Sequence, residues 1–466
     1  MEEKKGALLL GTENIEKLLK KYAMPAIIAM TASSLYNMVD SIFIGHGVGA
    51  MAISGLAITF PFMNLAAALG SLVGVGASTV TAIELGKKNY DKGCKALANT
   101  LILNIFIGII FSIICLIFLK PILYFFGASE ETLPYAYDYM FVILLGNIIT
   151  HLYLGLNSVL RASGHPNEAM IATIMTVVTN IFLDWLFIYP LGLGIKGAAI
   201  ATIMAQTIPL VYLLRIFSRK DELIRFKRKD FVIDFKIIKD IISVGMSPFL
   251  LNSALCVIVI LINNSLKKYG GDLSVGAYGI VNRISFIFVM IVLGLTQGMQ
   301  PIVSYNFGAR QFDRVNEALK KTIYLAIITL TTGFVIGETI PGVVCRFFTD
   351  DEQLIEISVI GMRVVMITFP IIGLQIVSGN FFQSIGNAKK AIFLSLSRQV
   401  IFLIPLLLIL PRFFGIKGVW FCMPISDVVA TIIAAVMLKR HFRNIRNIQK
   451  KETKYFTDSM PKEGNQ

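Results

Sequence analysis

The sequence predicts an all-α integral membrane protein whose twelve transmembrane helices form two parallel six-helix repeats, related by a pseudo-two-fold axis along the membrane normal. Three observations carry this expectation. Apolar stretches of spanning length run along the whole chain, basic residues concentrate in alternate loops, and the chain repeats itself with an offset of 222 residues.

Of the 466 residues, 55% are hydrophobic and 15% charged, and mean hydropathy is +0.72. That is far more apolar than a soluble core needs. About 20 helical residues cross a hydrocarbon layer of roughly 30 Å. Stretches of that length fall at 22–45, 51–82, 96–119, 135–158, 169–190, 197–216, 239–266, 276–304, 318–341, 358–382, 391–411 and 418–438. The first follows Lys4, Lys5, Lys17, Lys20 and Lys21 and is too long for a signal-peptide core, so it is expected to remain as a helix.

About three quarters of the 43 Lys and Arg lie on one side when loops are counted alternately, which places both termini in the cytoplasm by the positive-inside rule. The net charge of +14 thus reads as membrane-surface charge, with no nucleic-acid partner. The tail "KRHFRNIRNIQKK" reads as solvated or facing lipid headgroups. Cys94, Cys115, Cys256, Cys345 and Cys422 have no disulfide or metal spacing, and His46, His151, His165 and His441 do not cluster.

Internal similarity organises the chain. "GKKNYDKGCKAL" (86–97) aligns with "GARQFDRVNEAL" (308–319), and "RASGHPNEA" (161–169) with "QSIGNAKKA" (383–391). "GIKG" occurs at 194–197 and again at 415–418, and Pro25 returns as Pro248. Six helices per copy is an even number, so both copies enter the membrane in the same direction. The expected division is an N-terminal cytoplasmic segment at 1–21, a first bundle at 22–216, a charged cytoplasmic linker at 217–238, a second bundle at 239–438 and a basic cytoplasmic tail at 439–466.

"GLGIKG" (192–197) matches a dinucleotide fingerprint by letter, but it follows a membrane helix instead of a strand and reads as a tight external turn. No Walker loop or catalytic constellation is found, so the chain is not expected to be an enzyme and transport would run on an ion gradient. No cofactor is expected.

Asp40 lies in the first apolar stretch, about 7 to 8 Å below its outer end. A carboxylate there costs about 2.5 to 3.5 kcal/mol, which makes it a functional candidate. The fifth helix brings Asn180 and Asp184, four apart on one face, to the same depth. The sixth presents Thr202, with Gln206 one turn deeper, and the fourth brings Tyr139. Together these side chains would form an oxygen-rich pocket. It suits coordination of Na⁺ by Asp40, Asn180, Asp184 and Thr202. It equally suits sharing of a proton between two close carboxylates. The repeat offset maps Asp184 to Leu406 and Asp40 to Asn263 or its neighbour, so ion coupling is expected to be confined to the first half. The second half has Arg283 and Arg398 within its spans, read as gating residues or ion-pair partners, with Glu338 and Asp427 as weaker acidic candidates. Eighteen Met and 33 Phe include side chains suited to a lining that adapts to varied apolar shapes.

The segments "LYNMVDSIFIGHGVG", "NIFLDWLFI", "GIKGAAIAT", "RASGHP", "AYGIVNRI" and "SRQVIFLIPLLLILP", set in this repeat, resemble the multidrug and toxic compound extrusion (MATE) family, in its bacterial MepA/DinF-like branch. The resemblance implies a multi-pass protein of the bacterial cytoplasmic membrane, and a monomer is expected. It would exchange inward-moving H⁺ or Na⁺ for organic, often cationic and amphipathic, compounds by a rocking motion. It assigns Asp40, Asn180, Asp184 and Thr202 to cation coupling; Tyr36, Asn37, Tyr139, Gln206, Arg283 and Arg398 are the expected cavity or gating candidates. Two alternatives stand beside it: a flippase for a lipid-linked saccharide, which would line its cavity with several cationic residues, and a membrane-embedded enzyme.

Overall fold

The protein is described here by a computed structural model covering residues 4–459, without the side chains of 4–7, Asn37, Met38, Ala50, Asp272 and 444–459. Most of the expected tail therefore lies outside the described side chains, and nothing is placed for Asn37 beyond its backbone.

In the first half the helices are α1 (Ile15–Gly47), α2 (Ala50–Gly86), α3 (Tyr90–Ile117), α4 (Leu133–Ala162), α5 (Pro166–Ile188) and α6 (Gly194–Phe217). In the second half α7 (Phe235–Gly271) and α8 (Leu273–Gly308) are followed by α9 (Phe312–Thr339). Helix α10 is broken, with arms Glu352–Met366 and Phe369–Ser384 meeting at 55°. Residues 388–414 form α11, which includes the π-helical segment Ser397–Leu403, and α12 starts at 416. Helical continuity is interrupted at Gly271 (φ 72°) and Gly415 (φ 56°), a left-handed backbone that only glycine takes without strain, and this turns α7 into α8 and α11 into α12.

Polar side chains set the helix starts. Asn14 Oδ1 accepts from the Glu16 amide at 2.8 Å, so α1 begins at Ile15, seven residues before the apolar stretch. Asp234 caps α7 through the amides of Lys236 and Ile237, at 3.0 and 3.1 Å. Asp351 caps α10 in the same way.

The duplication is visible in the backbone. Among the described residues the non-glycine positions with positive φ are Lys88 (60°) and Arg310 (59°), 222 apart. Each ends a helix through the same pair of bonds. Lys88 N donates to Leu85 O and Asn89 N to Glu84 O, while Arg310 N donates to Phe307 O and Gln311 N to Asn306 O. Short helices follow α3 (Leu119–Phe125) and α9 (Pro341–Arg346), again in matching places.

The two halves meet through glycines. A Cβ on Gly86 would lie 1.9 Å from Tyr305 O, and one on Gly308 would lie 2.1 Å from Ile83 O, which is the same contact seen from each half. Gly76 packs on Ile241, Gly245 on Leu72, Gly294 on Ile27 and Gly298 on Ala23. All of these lie toward one end of the bundle. Gly45, Gly47, Gly55 and Gly270, toward the far end, meet residues of their own half. The halves are thus pressed together at one end and, among the described residues, joined by no such glycine approach at the other.

Two straps reinforce the closed end, and each crosses to the opposite half. A short helix ahead of α1, Lys4–Thr12, buries Leu10 completely. Leu10 O accepts from Asn306 Nδ2 (2.9 Å) and Arg314 Nη2 (3.1 Å), and Arg314 also donates to Glu13 O at 2.6 Å. The chain ahead of α7 docks on the first half in turn. Asn99 Nδ2 donates to Val232 O (3.1 Å), the Asp234 amide donates to Asn99 Oδ1 (3.0 Å), Ile224 is buried, and Lys227 Nζ lies 3.0 Å from Asp91 Oδ1. His165, in the turn between α4 and α5, places Nε2 at 2.9 Å from Glu222 of the same strap.

Candidate functional site

The far ends of α1 and α5 are held close because Gly47 leaves room for Ile188: a Cβ there would lie 2.3 Å from Ile188 Cγ2. Asp40 lies two turns before Gly47, and Asp184 one turn before Ile188. On the other side Gly146 of α4 accommodates Ile203 of α6 and so brings Tyr139 toward Thr202. These approaches enclose one polar pocket inside the first half.

Its members are almost dry: Asp184, Asn180 and Tyr139 have no exposed surface, Thr202 is 5% exposed and Asp40 6%. The Asp40 and Asp184 carboxyl groups are in direct contact. Asn180 Nδ2 donates to Thr202 Oγ1 at 3.5 Å. Tyr36, half-buried one turn before Asp40, and Tyr139 both reach the Thr202 side chain.

The oxygen atoms are short of donors. Asp40 Oδ1, both carboxyl oxygens of Asp184 and Asn180 Oδ1 are buried and accept no hydrogen bond. Two carboxylate oxygens cannot hydrogen-bond each other unless one of them is protonated. Unpaired buried carboxylates are costly, so this arrangement calls for a positive charge between the two acids. Hard oxygens from carboxylate, amide and hydroxyl fit a proton or a small alkali cation equally well.

Other candidates lie outside this pocket. Gln206, one turn deeper, is taken by Thr150, whose Oγ1 donates to Gln206 Oε1 at 2.5 Å. Arg283 is exposed and forms no ion pair among the described residues. Glu338 lies 3.8 Å from Arg363 near the far end. Arg398 and Asp427 prove to be partners: Arg398 Nε lies 2.5 Å from Asp427 Oδ1, off the N–H axis, and Thr368 Oγ1 donates to Asp427 Oδ2 at 2.9 Å.

Sequence reasoning missed the polar contacts between the halves. Arg161 at the end of α4 contacts Gln297 of α8, and Gln300 Nε2 sits 2.9 Å from Ser78 Oγ and 2.8 Å from Thr79 Oγ1 of α2. Arg161 opens the repeated segment "RASGHP", which was the available signal.

Two like-oriented six-helix repeats, joined at one end and enclosing a buried acid pair in one of them, follow the plan of a membrane transporter. The chain belongs to the MatE family: the family's sequence profile matches residues 25–186 and again 248–409, once in each half. It is 27% identical over 425 residues to the multidrug export protein MepA of Staphylococcus haemolyticus, covering 90% of this chain and 92% of that protein. MepA of Staphylococcus aureus is 26% identical over 426 residues, 91% of this chain and 93% of its own length. Among solved structures, the MATE multidrug transporter DinF-BH in complex with R6G is 38% identical, with a TM-score of 0.86 over 93% of this chain and 97% of that one. A MATE structure in the bent conformation shares the fold at 24% identity, with a TM-score of 0.90 over 95% of this chain and 99% of its own.

Proposed function

We propose that the protein is a secondary antiporter of the bacterial cytoplasmic membrane that exports organic, often cationic and amphipathic, compounds in exchange for inward-moving H⁺ or Na⁺. The observation that carries this reading is the set of four unpartnered buried oxygens on Asp40, Asn180 and Asp184. The similarity to the multidrug export protein MepA and to the multidrug transporter DinF-BH supplies the multidrug substrate class.

The closed, strap-bearing end faces the cytoplasm, in keeping with the distribution of Lys and Arg, so the conformation described opens outward. A cation entering from outside meets the acid pair and removes the repulsion between its carboxylates. Ion and drug drive the cycle only through different affinities for the outward-open and inward-open states. Rocking of one half against the other then requires the glycine contacts and both straps to part. The protein works as a monomer, since each half supplies the other's closing surface. A saccharide-lipid flippase gains little support here, because Arg398, one of the two arginines within the spans of the second half, is committed to Asp427.

The test is export of a fluorescent cationic dye from proteoliposomes under an imposed pH or Na⁺ gradient, with wild type compared to Asp40→Asn at equal insertion. Export by the wild type under one gradient and none by the variant is expected. Equal export by both would remove Asp40 from coupling.

A further inference from the structure

Asp427 lies within α12 and is 3% exposed. Its two oxygens are engaged from two directions, by Arg398 of α11 and Thr368 of α10. Both partners come from irregular backbone. Thr368 stands between the two arms of the broken α10, and Arg398 is the second residue of the π-helical segment Ser397–Leu403. Departures of this kind from the α-helix concentrate at functional positions. Three helices of the second half are thus fastened at one level by a charged pair.

Among the described residues, the first half has no charged pair at the matching positions. At the offset of 222 Arg398 corresponds to Thr176, whose Oγ1 bonds its own helix at Ala172 O (3.0 Å), and at the offset of 221 that relates the two "GIKG" segments just before them, Asp427 corresponds to Gln206, which pairs with the neutral Thr150. The contrast extends to the acids themselves. Asp40 and Asp184 are buried with no basic residue paired to them among the described residues, whereas Asp427 is held by one.

We propose that Arg398 is a tethered counter-cation for Asp427, so that the second half neutralises its intramembrane acid from within the chain while the first half takes its cation from solution. The second clause rests on the proposed antiport; the first does not. The guanidinium is covalently retained and cannot leave, so the second half presents the same neutral, fastened block throughout the cycle. Ion binding then acts on one half only, and Arg398 is a positioning residue that makes the transporter asymmetric.

Removing one member of a buried pair leaves an uncompensated charge, whereas replacing both by apolar residues of similar size restores neutrality. Full-length Arg398→Met, Asp427→Leu, the double variant and Arg398→Lys are therefore compared in lipid nanodiscs for melting midpoint and in proteoliposomes for dye export. Each apolar single variant is expected to melt several degrees lower and to export about tenfold less, while the double variant and Arg398→Lys return to within about twofold of wild type. A double variant as impaired as the worse single variant, or single variants that behave as wild type, would overturn the proposal. If Arg398→Met does not insert, recovery of insertion in the double variant supports the proposal and continued failure overturns it. Should the wild type export no dye, the antiport reading fails, while the melting series still reads the pair.

Discussion

Asp40 of α1 and Asp184 of α5 bring their carboxyl groups together in a dry pocket where three of the four carboxyl oxygens accept no hydrogen bond. A ligand that binds only the folded state raises the melting midpoint as its concentration grows. Wild-type protein is therefore expected to be stabilised by whichever ion drives export, and Asp184→Asn to lose that response. A variant that keeps the full response would place the ion elsewhere.

The closed end depends on the absence of a side chain at Gly245, where a Cβ would lie 1.8 Å from Leu72 O. Backbone cannot swing aside as a flexible side chain can. Gly245→Ala should push α7 from α2 at a cost of about 1 to 3 kcal/mol, typical of overpacking. Cysteines placed at the closed end should then react faster with a water-soluble maleimide; unchanged labelling would show that the contact is not limiting.

Arg314 holds the first strap through two carbonyl oxygens. Hydrogen bonds from a charged donor contribute about 1.5 to 3 kcal/mol each. Losing one moves a two-state equilibrium by about tenfold or more. Arg314→Met is thus expected to raise the population open at the strap end, read as a distance change between spin labels on the two halves.

His165 fastens the other strap, and its charge depends on pH. Burial alone would lower its pKa, but the hydrogen bonds and charges of Glu168 and Glu222 outweigh this and raise it from 6.5 to about 9. The folded state thus favours the charged ring. Its contribution is complete below the unfolded value near 6.5 and is lost as pH rises through about 9. Between pH 7 and 10 the wild type should lose more melting temperature than His165→Gln, and parallel curves would count against the pairing.

The architecture was legible because a bilayer permits few solutions: apolar length fixes a span, and matched motifs at Gly86 and Gly308 fix the repeat. Depth counting placed Asp40, Asn180, Asp184, Thr202 and Tyr139 in one layer, and the structure brings them together. Which face each helix turns to its neighbour was less legible. Gln206 shares Thr202's face by spacing, yet Thr150 claims it. Arg398 and Asp427 were visible as separate charges, but their pairing depends on the π-helical segment and on the break at Thr368, which no periodicity announces. The strap contacts are made by backbone carbonyls of Leu10, Glu13 and Val232, and carbonyls carry no sequence signal.

The crossing of those straps also bears on ancestry. In each case the arm ahead of a half's first helix is gripped by the other half, and the gripping residues Asn99, Asn306 and Arg314 belong to the bundles themselves. A half-length precursor, paired side by side about the same axis, would already have traded arms between two separate subunits. The grips have since diverged, for at the offset of 222 Asn306 and Arg314 correspond to Glu84 and Lys92, which pair with each other at 3.0 Å.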